Sequence, residues 1–360
     1  MRVKLKDVCE KGTSNLKQSD ILSLGGKYPV YGASGYLGNI DSYHQDKPYI
    51  AVVKDGAGIG RTTILPSKSS VIGTMQYLIP KEIVMPEYLY YVVKHMRLQK
   101  YYTGATIPHI YFKDYQNEEF NLADLNKQRE IVKVLKNVDN TIRYQEIEIN
   151  KFDELIKARF VEMFGEPVNN PKKFEKRSLK DTCKIVTGNT PSRAVEEYYG
   201  DFVEWVKTDN IISGEINPTR AVEYLSEEGM KVGRVVEEDA ILMACIAGSI
   251  ASIGRVCVTD RTVAFNQQIN AIVPYDYNQL FLYVLLQISK DYLIEDVSMA
   301  LKGILSKSKL EEKEFIVPPI ELQNQFADFV RQVDKSREEV KKSLKKTQQL
   351  YDSLMQEYFG

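Results

Sequence analysis

The sequence predicts an α+β protein built twice: two pseudo-repeated mixed α/β domains separated by two long helices packed as an antiparallel coiled coil. The first observation is a seam. Ile131, Leu135, Val138, Ile142, Gln145, Ile149, Phe152, Ile156, Arg159 and Met163 fall at alternating steps of four and three, with charged residues between them. That is the pattern of a coiled-coil helix. The second is its repetition. Moved on by 195 positions, the same steps land on Phe326, Val330, Val333, Arg337, Val340, Leu344, Thr347, Tyr351, Leu354 and Tyr358. Gln128 is matched by Gln323, and Phe164-Gly165 by Phe359-Gly360. The third is a series of matched fragments, in the same order, ahead of each seam. A two-fold relation between the copies favours antiparallel packing. The boundaries read as 1–124 for the first globular domain, 125–165 for the first helix, 166–319 for the second domain and 320–360 for the second helix.

Each element has its signal. Leu5-Lys6-Asp7 is echoed by Leu179-Lys180-Asp181, 174 positions on. Glycine-rich turns follow at Gly25-Gly26 and between Tyr31 and Gly38. The run Tyr49–Lys54 reads as a buried strand by its β-branched residues, Gly56–Gly60 as a turn, and Arg61–Leu65 as a second strand. Pro86 to Tyr102 has helical spacing with proline at its start. Asp124 or Asn126 is available as N-cap of the first long helix. Gly165-Glu-Pro167 closes that helix, since glycine accepts the left-handed cap and proline forbids continuation. A polar linker follows at 169–173. In the second half, Ile241–Ile246 matches the buried strand, Gly254-Arg255 matches Gly60-Arg61, and Leu280–Ile288 matches the helix. Phe315-Ile-Val-Pro-Pro-Ile320 leads into the second long helix, where proline suits a first turn. The offset grows from 174 to about 194 between the first fragment and the Gly-Arg turn, so the second half carries about 20 extra residues there.

Composition narrows the function classes. At 360 residues the chain is long enough for two cored domains. Its 43% hydrophobic and 27% charged content is that of a soluble globular protein. No apolar run approaches a membrane span, and the start lacks a secretory core; we expect a cytoplasmic location. The four cysteines and three histidines show no metal-ligand or redox spacing, so the expectation is no metal and no cofactor. Net charge is −1, with the first domain at about +3 and the second at about −5. Any nucleic-acid footprint must therefore be local. Neither a nucleophile elbow nor paired catalytic acids are visible.

The paired order of domain then helix resembles the specificity subunit of type I restriction-modification systems. The resemblance covers essentially the whole chain. It rests on the glycine-rich turns ending in Gly60-Arg61 and Gly254-Arg255, on Asn266-Gln-Gln268, and on Thr106-Ile-Pro-His-Ile110. It rests also on the helix entries Leu122–Gln128 and Val317–Gln323. The first copy lacks the proline pair of the second, and the second has Ala300-Leu-Lys-Gly-Ile304 in place of Ile-Pro-His. The family implies a non-catalytic protein with two target-recognition domains. Each would read one half of a split, asymmetric target in double-stranded DNA. Two adenine-methylating modification subunits would dock on the helices, and restriction subunits would join them. A coiled-coil scaffold without sequence-specific DNA binding is the alternative. A methyltransferase is disfavoured, because Val317-Pro-Pro-Ile320 lacks both the amide and the aromatic ring of a flipped-base loop.

Candidate DNA contacts come from repeat-matched turns and polar loops: Tyr36, Lys54, Arg61, Thr106, His109, Lys207, Asn210, Arg255, Asn266, Gln267 and Lys302. Arginines suit phosphates or guanine edges, and amides suit adenine. Each has a plainer reading. Gly56–Gly60 could cradle phosphate, yet without the lysine and hydroxyl of a P-loop a tight turn suffices. Arg61 and Arg255 could be structural, the amides could serve the backbone, and His109 could be a packed turn histidine. Candidate helix-pairing residues are Ile131, Leu135, Val138, Ile142, Ile149, Phe152, Phe326, Val330, Val333, Val340, Leu344 and Leu354. No catalytic residue is assigned.

Overall fold

A computed structural model of the chain describes residues 1–21, 25–104, 108–295, 297 and 303–360. The two seams fold as continuous 40-residue helices, Leu125–Phe164 and Ile320–Phe359. Asp124 caps the first, its Oδ1 accepting the Lys127 N–H at 2.9 Å. Gly165 ends it at φ +77°, and a Cβ there would meet Pro171 Cγ at 2.5 Å. Pro319 accepts the Leu322 N–H at 3.0 Å at the start of the second.

The chain divides into two compact units, and neither is a continuous stretch. One comprises residues 1–146 and 342–360, the other residues 147–341. Each long helix therefore gives one half to each unit. In the first unit Ile131 and Leu135 join a core that contains Tyr351, Met355 and Phe359, and Gln145 Nε2 donates to Ser343 Oγ at 2.8 Å. Early residues of one helix meet late residues of the other, so the pairing is antiparallel. In the second unit Phe160 and Phe164 pack on Phe326, with ring centroids 5.4 and 5.6 Å apart, and Arg337 donates to Asp153 at 2.5 Å. This half is antiparallel as well.

The first unit carries an antiparallel sheet in the order Cys9–Thr13, Met75–Pro80, Tyr49–Val53, Thr62–Leu65. The second unit repeats it with Cys183–Thr187, Ile269–Pro274, Ile241–Ala244 and Val256–Val258. The registers agree: Cys9 faces Pro80, and Cys183 faces Pro274. Helices Pro86–His95 and Gln279–Ile288 lay their apolar faces on these cores. Each unit also has a second sheet containing one parallel pair, Tyr28–Gly32 with Ser70–Val71 and Val203–Val206 with Val263–Phe265. The first is three-stranded and the second five-stranded. The additional residues of the second half build this extension.

Gln128 and Gln323 are both fully buried and do the same work. Gln128 accepts the Met85 N–H at 2.8 Å and donates to the carbonyls of Ile83 and Ala123. Gln323 accepts the Asn278 N–H at 2.9 Å and donates to Pro318 and Asp276. Each ties the start of a long helix to the start of the domain helix, satisfying backbone groups that burial would otherwise strand. Among the described residues no helix is long and apolar enough to cross a membrane.

Candidate nucleic-acid interface

Each unit clips a glycine-rich hairpin loop to the segment that precedes a long helix. In the first unit, Val53 N–H donates to Arg61 O at 2.9 Å and Gly60 N–H to Val53 O at 2.8 Å. Gly60 holds φ +78°, and a Cβ there would lie 2.6 Å from Gln99 N, so the loop needs glycine at this point. Ile110 N–H donates to Lys54 O at 2.9 Å. Asp55 pairs with His109 in the backbone and again through Asp55 Oδ1 and His109 Nδ1, 2.6 Å apart. In the second unit the same bonds recur: Ala244 N–H to Arg255 O at 2.9 Å, Gly254 N–H to Ala244 O at 2.8 Å, and Leu305 N–H to Cys245 O at 2.9 Å. Ile246 and Ile304 take the places of Asp55 and His109. The scaffold is duplicated, and the side chains on it are not.

In the first unit, exposed aromatic and cationic groups gather on these loops. Arg61 is exposed and its Nη1 donates to Ala33 O at 3.0 Å, joining the hairpin loop to the turn that bears Tyr36. Tyr36 is 61% exposed. Tyr111 stacks on His109 with ring centroids 6.3 Å apart, and Lys113 Nζ lies 5.4 Å from the Tyr111 ring. Lys54 is half-buried beside Asp55 at 3.6 Å. Tyr111 and Lys113 were not singled out by the sequence. Their only signal there is nearness to His109.

The second unit places its candidates differently. Asn210 and Asn266 are buried. The Asn210 amide donates to Thr219 Oγ1 and Arg220 O and accepts the Lys207 N–H. The Asn266 amide accepts the Gln268 N–H at 3.1 Å and donates to Gln268 Oε1. Both amides are spent on neighbouring groups, the plainer of the two readings the sequence allows. Gln267 is exposed and accepts the Thr190 hydroxyl. Arg255 is half-buried and donates to Thr208 O and Ser252 O, both at 3.3 Å. Lys207 donates to Glu223 and lies 5.0 Å from the Trp205 ring. Thr106 and Lys302 lie outside the described residues.

Sequence reasoning missed Arg193. Its guanidinium is about half exposed, lies 4.4 Å from the Tyr199 ring and 5.0 Å from Trp205, and donates to Glu223 at 2.5 Å. Lys207 and Arg193 together hold the Glu223 carboxyl below its ordinary range. An arginine fixed on both sides by aromatic faces and a carboxylate is a pre-oriented fork, suited to a phosphate or a guanine edge. Its aromatic partners come from the extended sheet, and no sequence pattern marks them as neighbours. Beneath this sheet, Glu204 is buried and accepts from Arg261, Arg220 and the Ala221 N–H. Burial alone would raise its pKa, but the Arg261 bonds, the Ala221 amide and Arg220 outweigh it and hold the carboxyl at about 2.

The helix-pairing candidates are all at least half-buried. Ile131, Leu135, Phe326, Val330 and Val333 are buried; Val138, Ile142, Ile149, Phe152, Val340, Leu344 and Leu354 are intermediate. Phe160, Phe164, Met355 and Phe359 are also buried, beyond the predicted seam. All four cysteines are free, buried thiols, with burial pushing each up to about 12. Among the described residues no group of His, Cys, Asp or Glu is arranged to hold a metal ion.

The family model of the type I restriction modification DNA specificity domain matches residues 1–152 and again 171–349. The chain is 24% identical over 334 residues to the specificity subunit of the type I restriction enzyme MjaVIII from Methanocaldococcus jannaschii, covering 84% of this chain and 77% of that one. It is 32% identical over 120 residues to the specificity subunit of the type I restriction enzyme HindI from Haemophilus influenzae, covering 32% of this chain. That match spans only 25% of the HindI subunit's length. Among solved structures, the S subunit of the type I restriction-modification system from M. genitalium superposes with a TM-score of 0.63 at 15% identity, covering 100% of this chain and 96% of that one. The fold is shared at that distance.

Proposed function

Since the chain belongs to the family of type I restriction-modification DNA specificity proteins, we propose that it reads double-stranded DNA for such a system without performing chemistry itself. Each globular domain, residues 1–124 and 166–319, reads one half of a split target. The two domains carry different side chains on the same loops, so the target is asymmetric. The helices at 125–165 and 320–360 form the spacer and the dock for two modification subunits, which methylate adenine; restriction subunits join the assembly. Forty-residue helices at about 1.5 Å per residue measure about 60 Å, enough to serve half-sites a helical turn of about 34–36 Å or more apart.

The observation that carries this reading is the repeated clip, with Asp55 and His109 on one copy and Ile246 and Ile304 on the other. Conserving the bonds while changing the exposed groups is what two readers of different sequences require. In the first domain we assign contacts to Tyr36, Lys54, Arg61, His109, Tyr111 and Thr106. In the second we assign Arg193, Lys207, Gln267 and Lys302, and not Arg255, whose guanidinium is held by two backbone carbonyls. Phosphate contacts set the register and base-edge contacts choose the sequence. The partner enzyme extrudes the adenine from the stack.

The test is methyl-adenine mapping in cells that carry this chain with its methyltransferase, beside cells lacking the chain. Methylation at a split asymmetric motif only when the chain is present is the expected result. Arg61→Ala should relax or weaken one half of the motif and Arg193→Ala the other, each by about 1–3 kcal/mol where a guanine is read. The same methylation pattern with and without the chain would overturn the proposal in favour of a scaffold.

A further inference from the structure

The second unit carries a half-open cavity of about 300 Å³ that DNA reading leaves unused. Its walls are the helix pair, the 213–216 loop, the Gly254-Arg255 turn and the helix Gln279–Ile288. Ile156, Ile216 and Ile288 give it apolar surface, while Lys157, Arg255, Lys290 and Arg337 bring four cationic side chains to it against one wall carboxylate, Asp153. Arg337 is 3% exposed; it donates to Asp153 and Gly214 O, has Asp334 at 3.8 Å behind it, and leaves its Nε without a partner. Lys157 is exposed and forms no ion pair among the described residues. Lys290 donates to Ala251 O at 2.6 Å, and burial together with the nearby Arg255 charge lowers its pKa. Positive charge is therefore in excess around a partly apolar hollow.

The duplicated scaffold does not require this hollow. At the position matching Gln287 the first unit has Lys94, and at the position matching Ile156 it has Tyr351. Lys94 lies 4.8 Å from the Tyr351 ring and 3.4 Å from Asp139, so side chains occupy the place that stays open in the second unit. Ile142 stands where the second unit has Arg337. Lys157 is matched by Asp352, whereas Arg255 and Lys290 are matched by Arg61 and Arg97, so two of the four cations belong to the second copy alone.

We propose that this cavity binds a small organic anion, a phosphate or carboxylate group carried on an apolar body. Its volume lies at the lower end of the range for small-molecule sites. The lysines and arginines supply charge-assisted donors for the anionic group, and the isoleucines receive the body. A DNA backbone phosphate has the same anionic chemistry, but it brings a hydrated sugar where the walls offer apolar surface. A free anion is the better fit.

The full-length chain is titrated with phenyl phosphate, with benzyl alcohol and benzylamine as neutral and cationic controls, using ligand-observed NMR. Saturable binding of phenyl phosphate alone is expected. Lys157→Gln combined with Lys290→Gln should weaken it by about tenfold or more, since each removes a charged hydrogen-bond donor. Gln287→Trp, at the exposed mouth, should block it while the melting temperature holds. A DNA duplex should not displace the probe. The proposal fails if no probe binds, if the controls bind equally, if Gln287→Trp binds as well as the parent, or if a duplex displaces the phosphate. None of these results bears on the methylation motif, so the site and the DNA reading stand or fall separately.

Discussion

At the scale of single residues, the buried polar groups are the most informative. Gln128 and Gln323 each satisfy one amide and two carbonyls inside the protein. Gln128→Leu or Gln323→Leu keeps the approximate volume and strands those groups. Each should destabilise its unit by about 2–4 kcal/mol, read by denaturant unfolding. Glu204 gives a pH signature. Its folded pKa of about 2 lies below the ordinary 4.5, so its contribution is complete above about pH 4.5 and is lost as pH falls towards 2. Glu204→Gln should flatten that part of the stability profile; an unchanged acid limb would exclude the ion-pair account. Legibility at this scale was mixed. The paired glutamines and the Gly-Arg turns were visible because they repeat. The burial of Asn210 and Asn266 was not, because an amide that serves a neighbouring backbone is spelled like one that serves a ligand. Arg193 escaped notice because its stacking partners Tyr199 and Trp205 mean nothing until the sheet brings them beneath it.

At the scale of elements, the two long helices were the most legible part of the chain. A seam stepping by four and three over ten positions has few other interpretations, and its repetition fixed the duplicated plan. The ends were harder. Phe160, Phe164, Met355 and Phe359 are buried outside the stripe, because there a globular core covers a second flank of the helix. A 3.5-residue stripe describes only a helix that meets one partner. The five-stranded sheet was legible as extra length but not as strands, since three of its members are only two residues long. The polar pairs along the seam set its register. Gln145 meets Ser343, and Arg337 meets Asp153. Two heptads added to both long helices, placed between these pairs, keep the stripe in phase and lengthen the spacer by about 21 Å. Methyl-adenine mapping should then find the same half-sites with a wider gap, or no assembly at all. An unchanged gap would show that the helices are not the ruler.

At the scale of the whole molecule, the division of labour is testable by exchange. Residues 1–124 replaced by a second copy of residues 166–319 should convert the target into two inverted copies of one half-site, and an unaltered motif would contradict one reader per half. The two units also differ in how they depend on the chain. The first takes Tyr351, Met355 and Phe359 into its core, while the second is contained within residues 147–341. Deleting 342–360 should therefore unprotect amides around Ile131, Leu135 and Tyr88 in hydrogen exchange and leave those around Phe281 protected. The same discontinuity sets an order of events during synthesis. At about 5–20 residues per second, the ribosome needs on the order of 10–40 s to pass from Glu146 to Lys342. Throughout that interval the earlier-made unit has its apolar helix face bare, and the later-made unit is the first whose full complement of residues leaves the tunnel. The half that is written first is the half that finishes last.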